Sequence, residues 1–181
     1  MKKLVLMAIA MVLSVAASAQ AYVGGSFGIT RNTTEDQTYF LIQPEVGYNL
    51  SDKWAVGGIL DFTYNNHGEG HSTVFSIEPY ARYTFFQAVD NRLRLFLDGG
   101  FGIGFGKSKI DGHSSDTVTA FEIGLKPGVS FALSERFSLV AHMGFLGYQG
   151  GNDAAKDAGI DETFGLNLST MNLSFGFYYN F

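Results

Sequence analysis

Past residue 20, apolar residues recur at every second position and not at helical spacing, the period that a strand imposes on its two faces. The alternating runs cover residues 21–30, 38–50, 54–64, 73–86, 93–106, 118–133, 137–148 and 164–181, so eight strands are expected. Phase can be set from the hydrophobic residues alone. One face then carries Phe27 and Ile29; Phe40, Ile42 and Val46; Trp54, Val56, Leu60 and Phe62; Phe75, Ile77 and Tyr83; Leu93, Leu95, Leu97 and Phe101; Phe121, Ile123 and Val129; and Leu139, Met143 and Phe145. Every charged residue inside the runs falls on the opposite face: Glu45, Asp61, Glu78, Arg82, Arg94, Asp98, Glu122 and Lys126. A charge-free face needs an apolar solvent. A soluble sandwich supplies one by stacking two such faces, and a bilayer supplies one to the outside of a barrel.

Three further features separate these homes. The connections alternate in length, short at Ser51 to Lys53, Gln87 to Arg92 and Ser134 to Arg136, long at 31–37, 65–72, 107–117 and 149–163. An even strand count with one trimmed end and one decorated end is the pattern of an up-and-down transmembrane barrel. Large rings also gather near strand ends on the apolar face, at Tyr48, Trp54, Tyr83, Phe85, Phe131, Phe137, Tyr179 and Phe181, where membrane interfaces favour aromatic side chains. The third feature is an export signal. Lys2 and Lys3 precede a short apolar stretch from Leu4 to Val15 and an Ala17-Ser18-Ala19 cleavage pattern, so residues 1–19 read as a signal peptide and 20–181 as one barrel domain. A membrane anchor would need about 20 apolar residues.

The 181 residues carry a formal net charge of -5. Removing residues 1–19 takes away Lys2 and Lys3 and no acid, which makes the remainder -7. That balance argues against a nucleic-acid partner, which calls for a basic surface. The chain has no Cys, hence neither a disulfide nor an acylated cysteine, and its stability must come from the sheet.

Two internal echoes support the strand count. Leu50-Ser-Asp-Lys-Trp-Ala-Val56 and Leu133-Ser-Glu-Arg-Phe-Ser-Leu139 read as the same turn between the same kinds of strand. Phe-x-Ile-x-Pro occurs at Phe40 to Pro44 and Phe75 to Pro79, and a stretched version runs from Phe121 to Pro127. All three prolines lie in these segments, and proline donates no ladder hydrogen bond. Bulged or loosened strands ahead of the short turns are therefore expected there.

On these grounds the chain resembles the small eight-stranded outer-membrane barrels of the OmpX, OmpA membrane-domain and OmpW kind. The resemblance rests on the signal peptide, Pro44-x-x-Gly-Tyr48 and Pro79-x-x-Arg-Tyr83, the turn LSDKWAVG, and the last strand ending Tyr179-Asn180-Phe181. It implies an all-β, eight-stranded, up-and-down antiparallel barrel in a bacterial outer membrane, with both termini periplasmic. It also implies two partners, outer-membrane lipid and the barrel-assembly machinery, the latter reading Tyr179 and Phe181 as an assembly signal.

Candidate chemistry is sparse. Gly99 to Gly106 repeats glycine at every second position and fits no phosphate-binding motif, so it reads as space for bulky inward neighbours such as Tyr80 and Phe96. The Asn-x-Ser/Thr matches at Asn32, Asn49, Asn167 and Asn172 carry no weight in a bacterial outer-membrane protein. His67, His71 and His113, with Glu69, Asp111 and Asp116, fall in two loops without a zinc-site spacing, and the acidic loop from Asn152 to Glu162 lacks the calcium-loop pattern. No cofactor, metal or catalytic residue is assigned.

The strongest constellation is inward: Glu45, Asp61, Glu78, Asp98 and Glu122 with Arg82, Arg94, Lys126 and His142. Its near balance of sign fits a packed polar network better than a one-sign filter, and eight strands leave a lumen that side chains can fill. The expected role is a non-enzymatic one in the cell envelope, structural or in surface interaction. The alternative is a conduit for small solutes, hydrophobic ones among them, and a lipid-modifying enzyme stands behind both for want of a Ser-His-acid set.

Overall fold

The computed structural model describes residues 20–32, 37–67, 70–88, 90–110, 113–114, 116–167 and 173–181. The first 19 residues, and with them the expected signal peptide, lie outside the described residues. Alternation produces long strands: β1 (Ala21–Asn32), β2 (Gln37–Asn49), β3 (Trp54–His67), β4 (Gly70–Ala88), β5 (Leu93–Ile110), a two-residue β6 (His113–Ser114), and β7 (Val118–Ala132). Then follow β8 (Phe137–Met143), β9 (Phe145–Gly151), a one-turn helix α1 (Asp153–Asp157), β10 (Thr163–Asn167) and β11 (Leu173–Asn180). Each strand pairs antiparallel with its neighbours, and β1 pairs with β11 from Tyr22↔Asn180 to Ser26↔Gly176, which closes the ring. Counting β6 with β7, β8 with β9 and β10 with β11, the wall has eight strands.

The two echoed turns fold alike. Leu50 N and Ser51 N donate to Trp54 O, and Leu133 N and Ser134 N donate to Phe137 O, at 2.8 and 3.1 Å in both turns. In each, the serine Oγ accepts from the backbone N–H groups two and three residues on, the second of which opens the next strand. Between β4 and β5, Asp90 and Asn91 take φ of 52° and 65°, the left-handed pair that a tight hairpin with matching twist requires.

The connections at the other end are shorter than expected. β3 runs to His67 and β4 starts at Gly70, so most of the expected 65–72 loop is ladder, and β5 carries seven pairs of strand with β4 above Ile103. The strand expected at 137–148 is broken. Gly144, at φ 79°, inserts one extra residue: His142 pairs with Gly128 and Leu146 with Leu125, four steps on one strand against three on the other. A glycine bulge of this kind shifts the side-chain phase. Phe145, expected on the outward face, is therefore turned into the lumen and is 8% exposed.

The prolines share one device. Pro44 keeps its partner Gly25 on β1, but the β2–β3 ladder skips from Ile42↔Phe62 to Glu45↔Ile59. Pro79 keeps Gly58 on β3, while the β4–β5 ladder skips from Ile77↔Ile103 to Tyr80↔Gly100. Pro127 keeps Leu97 on β5 and faces the Gly144 bulge on its other side. Each missing N–H thus falls on the side of the following strand, where two ladders loosen in register and the third accommodates the bulge.

Candidate functional site: the lumenal septum

Inward positions on β2, β4, β5, β8 and β11 converge on one layer. Arg82 on β4 is its hub and is 7% exposed. Its Nε and Nη2 donate to Asp98 Oδ1 and Oδ2 on β5, both at 2.7 Å, a bidentate pair. Nη2 also reaches Glu45 Oε1 at 3.3 Å and the Tyr178 hydroxyl at 3.0 Å. The Tyr178 hydroxyl donates to both Glu45 oxygens, at 2.8 and 2.9 Å. Tyr80 donates to Glu45 Oε1, and Tyr22 and Tyr80 hydroxyls lie 2.5 Å apart. His142 Nε2 sits 3.0 Å from Asp98 Oδ2 and 3.4 Å from Arg82 Nη2. The guanidinium carbon lies 3.9 Å from the Phe96 ring centroid, so the cation is held by ion pairs at its edge and an aromatic ring on its face.

Glycines make this layer possible. A Cβ at Gly47 would stand 2.1 Å from the Tyr22 ring, one at Gly57 2.5 Å from the Tyr80 hydroxyl, and one at Gly128 2.3 Å from the Phe96 ring. The large rings lie flat against the wall where facing strands carry no side chain. The sequence reading assigned that service to the glycines between 99 and 106. A Cβ at Gly100 would stand 3.3 Å from Tyr80 Cβ, whereas one at Gly102 would stand 2.8 Å from Glu122 Cγ.

Above the layer is a second, wetter cluster. Lys126 Nζ donates to Glu78 Oε2 and Glu122 Oε1, both at 2.7 Å. Asp61 accepts from Gln43 Nε2 at 2.6 Å and Thr63 Oγ1 at 3.0 Å, with no cation on it among the described residues. These groups line a cavity of about 320 Å³ on the side of the long connections. A smaller cavity of about 50 Å³, lined by Lys53, Arg94 and Asn180, lies on the side of the short turns. Tyr178 borders both, so the two are separated by a partition one side chain thick. Arg94 stands apart from the network: its Nε donates to Asn91 O at 3.3 Å at the lumen mouth.

Sequence reasoning thus named Glu45, Arg82, Asp98 and His142, which meet, and Glu78, Glu122 and Lys126, which form their own cluster. It left out Tyr22, Tyr178 and Gln43. Their signal was present as polar-tipped residues on the inward phase opposite Gly24, Gly47 or Asp61. Ser174 pairs with His142 across β11 and β8, yet the two are not hydrogen-bonded, and His142 directs Nε2 to an aspartate already held by Arg82. Among the described residues no group of three metal-binding side chains occurs. His71 stacks on Tyr64, while the side chains of His67 and His113 lie outside the described residues.

A closed eight-stranded barrel with an uncharged outer band and a plugged polar lumen defines the class of small membrane barrels. The sequence profile of the outer membrane protein beta-barrel domain matches residues 4–181, and the chain belongs to that family. Its membrane is therefore a bacterial outer membrane. Comparison with curated protein sequences found no match. Among solved structures, the chain is similar to the N-terminal barrel domain of Pseudomonas aeruginosa OprF, at 17% identity and TM-score 0.53 over 90% of this chain and 98% of that one. Neisserial surface protein A (18% identity, TM-score 0.49, 91% and 98% covered) and Yersinia pestis Ail (16%, 0.48, 90% and 97%) are also similar. At these identities the likeness speaks to fold alone.

Proposed function

We propose that the chain is exported by residues 1–19, is assembled with both termini in the periplasm, and serves as a non-enzymatic barrel whose outer loops meet neighbouring surface molecules. The septum carries this reading. Glu45, Arg82, Asp98, Tyr178 and Phe96 fill the lumen in one buried layer, which leaves no continuous aqueous path for solutes. Tyr179 and Phe181 form an aromatic end, with ring centroids 5.1 Å apart and Phe137 packed on Tyr179, suited to recognition during assembly.

A second reading, the conduit, draws on one observation. Among the described residues, pairing between β1 and β11 stops at Ser26↔Gly176, and the larger cavity reaches Gly25, Ser26 and Gly176 at that seam. A lateral exit there would bypass the septum, although the polar lining suits hydrophobic solutes poorly.

The chain lacks cysteine, so Ala158→Cys in the α1 loop gives a single label site. Whole cells should react at that position with a membrane-impermeant maleimide. A strain lacking the protein should take up small solutes at the same rate as its complemented parent. Uptake that depends on the protein would replace the envelope reading with the conduit.

A further inference from the structure

The partition through the lumen divides two halves of opposite charge. The larger cavity is lined by Glu45, Asp61, Glu78, Asp98 and Glu122 against Lys126 and His142. The smaller one, at the short turns, is lined by Arg82, Lys53 and Arg94 against Asp52 alone. Arg82 borders only this second half, and the protein does not use its whole guanidinium. Nε and Nη2 make every hydrogen bond the group has, to Asp98, Glu45, His142 and Tyr178, all of which line the larger cavity. Nη1 has no acceptor among the described residues, although Arg82 is buried. Buried donors are paired in all but a few cases, so its two hydrogens call for an acceptor that the chain does not supply. The mouth of the same cavity repeats the demand. Lys53 and Arg94 are exposed, neither has an ion-pair partner among the described residues, and Arg94 engages only Asn91 O through Nε. Between mouth and hub lie hydroxyls: Ser130, which pairs with Arg94 across β5 and β7, and Thr84, two residues on from Arg82 in β4.

We infer that the cavity at the short turns is a binding site for a small carboxylate, which accepts from Arg82 Nη1 at its inner end and is balanced by Lys53 and Arg94 at the mouth. Sign selects an anion, since three cations face one acid there. Charge also limits it to one negative unit, because Glu45 and Asp98 already offset Arg82 from behind and a second anionic charge would stand unpaired. Size selects a small one. A water takes ~10–15 Å³ of such space, so about 50 Å³ admits a carboxylate-sized group and little more. Two oxygens suit the lining: one takes the charge-assisted bond from Nη1, and the other takes a hydroxyl donor from Ser130 or Thr84. The septum ends the path inward, so the anion is a resident of the lumen and not a permeant ion. The binding does not depend on which side of the membrane the short turns occupy.

The test is an NMR titration of the folded barrel in phosphatidylcholine nanodiscs with sodium formate, exchanged for the bulkier sodium gluconate at constant sodium concentration and neutral pH. The Arg82 guanidinium resonances and the amides of Thr84 and Ser130 should shift together and saturate with one midpoint. Lys53→Gln/Arg94→Gln should raise that midpoint about ten-fold, since an exposed ion pair contributes up to about five-fold. Both side chains are exposed, so the variant should unfold at the wild-type urea midpoint, which shows that a lost response is not a lost fold. Lys53→Arg/Arg94→Lys should keep the formate midpoint, as should Lys107→Gln at the other end of the barrel. Shifts that stay linear in formate, an unchanged midpoint in the Gln pair, or an equal loss in Lys107→Gln would each overturn the inference and leave Nη1 to solvent.

Discussion

Replacing Arg82 by methionine removes the hub of the septum while keeping most of its volume. Glu45 and Asp98 are 4% and 3% exposed, and after the change two carboxylates would share one buried layer with no guanidinium between them. Breaking a buried ion pair by deleting one partner costs about 3–5 kcal/mol, because the surviving charge is left unpaired in a low dielectric. Loss of the guanidinium from the face of Phe96 adds about 1 kcal/mol. Against a typical domain stability of about 5–15 kcal/mol, this is a large fraction. The reasoning also predicts a rescue. Arg82→Met combined with Glu45→Gln and Asp98→Asn removes the stranded charges and should recover most of the loss, since the penalty lies in the unpaired acids and not in the missing bond itself. Urea unfolding in lipid vesicles, followed by the fluorescence of Trp54, the single tryptophan, measures both. A loss below about 1 kcal/mol for Arg82→Met, or no recovery in the triple variant, would refute the account of the septum as a charge-paired layer.

Further outcomes follow from other sites. Gly128→Ala should destabilise by about 1–3 kcal/mol, because the new Cβ meets the Phe96 ring, whereas Gly165→Ala, with nothing within 4 Å, should unfold at nearly the wild-type urea midpoint. In the α1 loop, Lys156 and then Tyr148 hydrogen-bond Glu162 and hold its carboxyl below the ordinary carboxylate range. This contact contributes above the ordinary carboxylate range and is lost as pH falls through the depressed value; an NMR titration should show a low midpoint that rises in Lys156→Gln. Deleting Phe181, which is 40% exposed, should cost only about 1 kcal/mol in refolded protein but sharply lower the amount assembled in cells. Equal losses in the two assays would reduce the ring to packing.

Much of this fold was legible because a barrel writes its two solvents into alternate residues. The phase of Glu45, Arg82, Asp98 and Lys126 could be read from their apolar neighbours alone, and the Ser51 and Ser134 turns announced themselves by repeating. What escaped the pattern were departures from period two. Gly144 looks like any strand glycine until its positive φ adds a residue and turns Phe145 inward. The short helix at Asp153–Asp157, capped by the Asn152 side chain on Ala155 N, is too brief to show a helical period. The partners within the lumen were equally hidden. Alternation says that Tyr22, Tyr80 and Tyr178 face inward, but the meeting of Tyr80 and Tyr178 at Glu45 depends on barrel stagger, which brings residues 133 positions apart into one layer.

The claim that one buried layer shuts the lumen is met most directly by electrical recording from purified barrel in a planar bilayer. The account predicts no stable ohmic step above the bare membrane, because Arg82 and its partners leave no aqueous path between the two cavities. A steady, uniform conductance from the wild-type protein would contradict it.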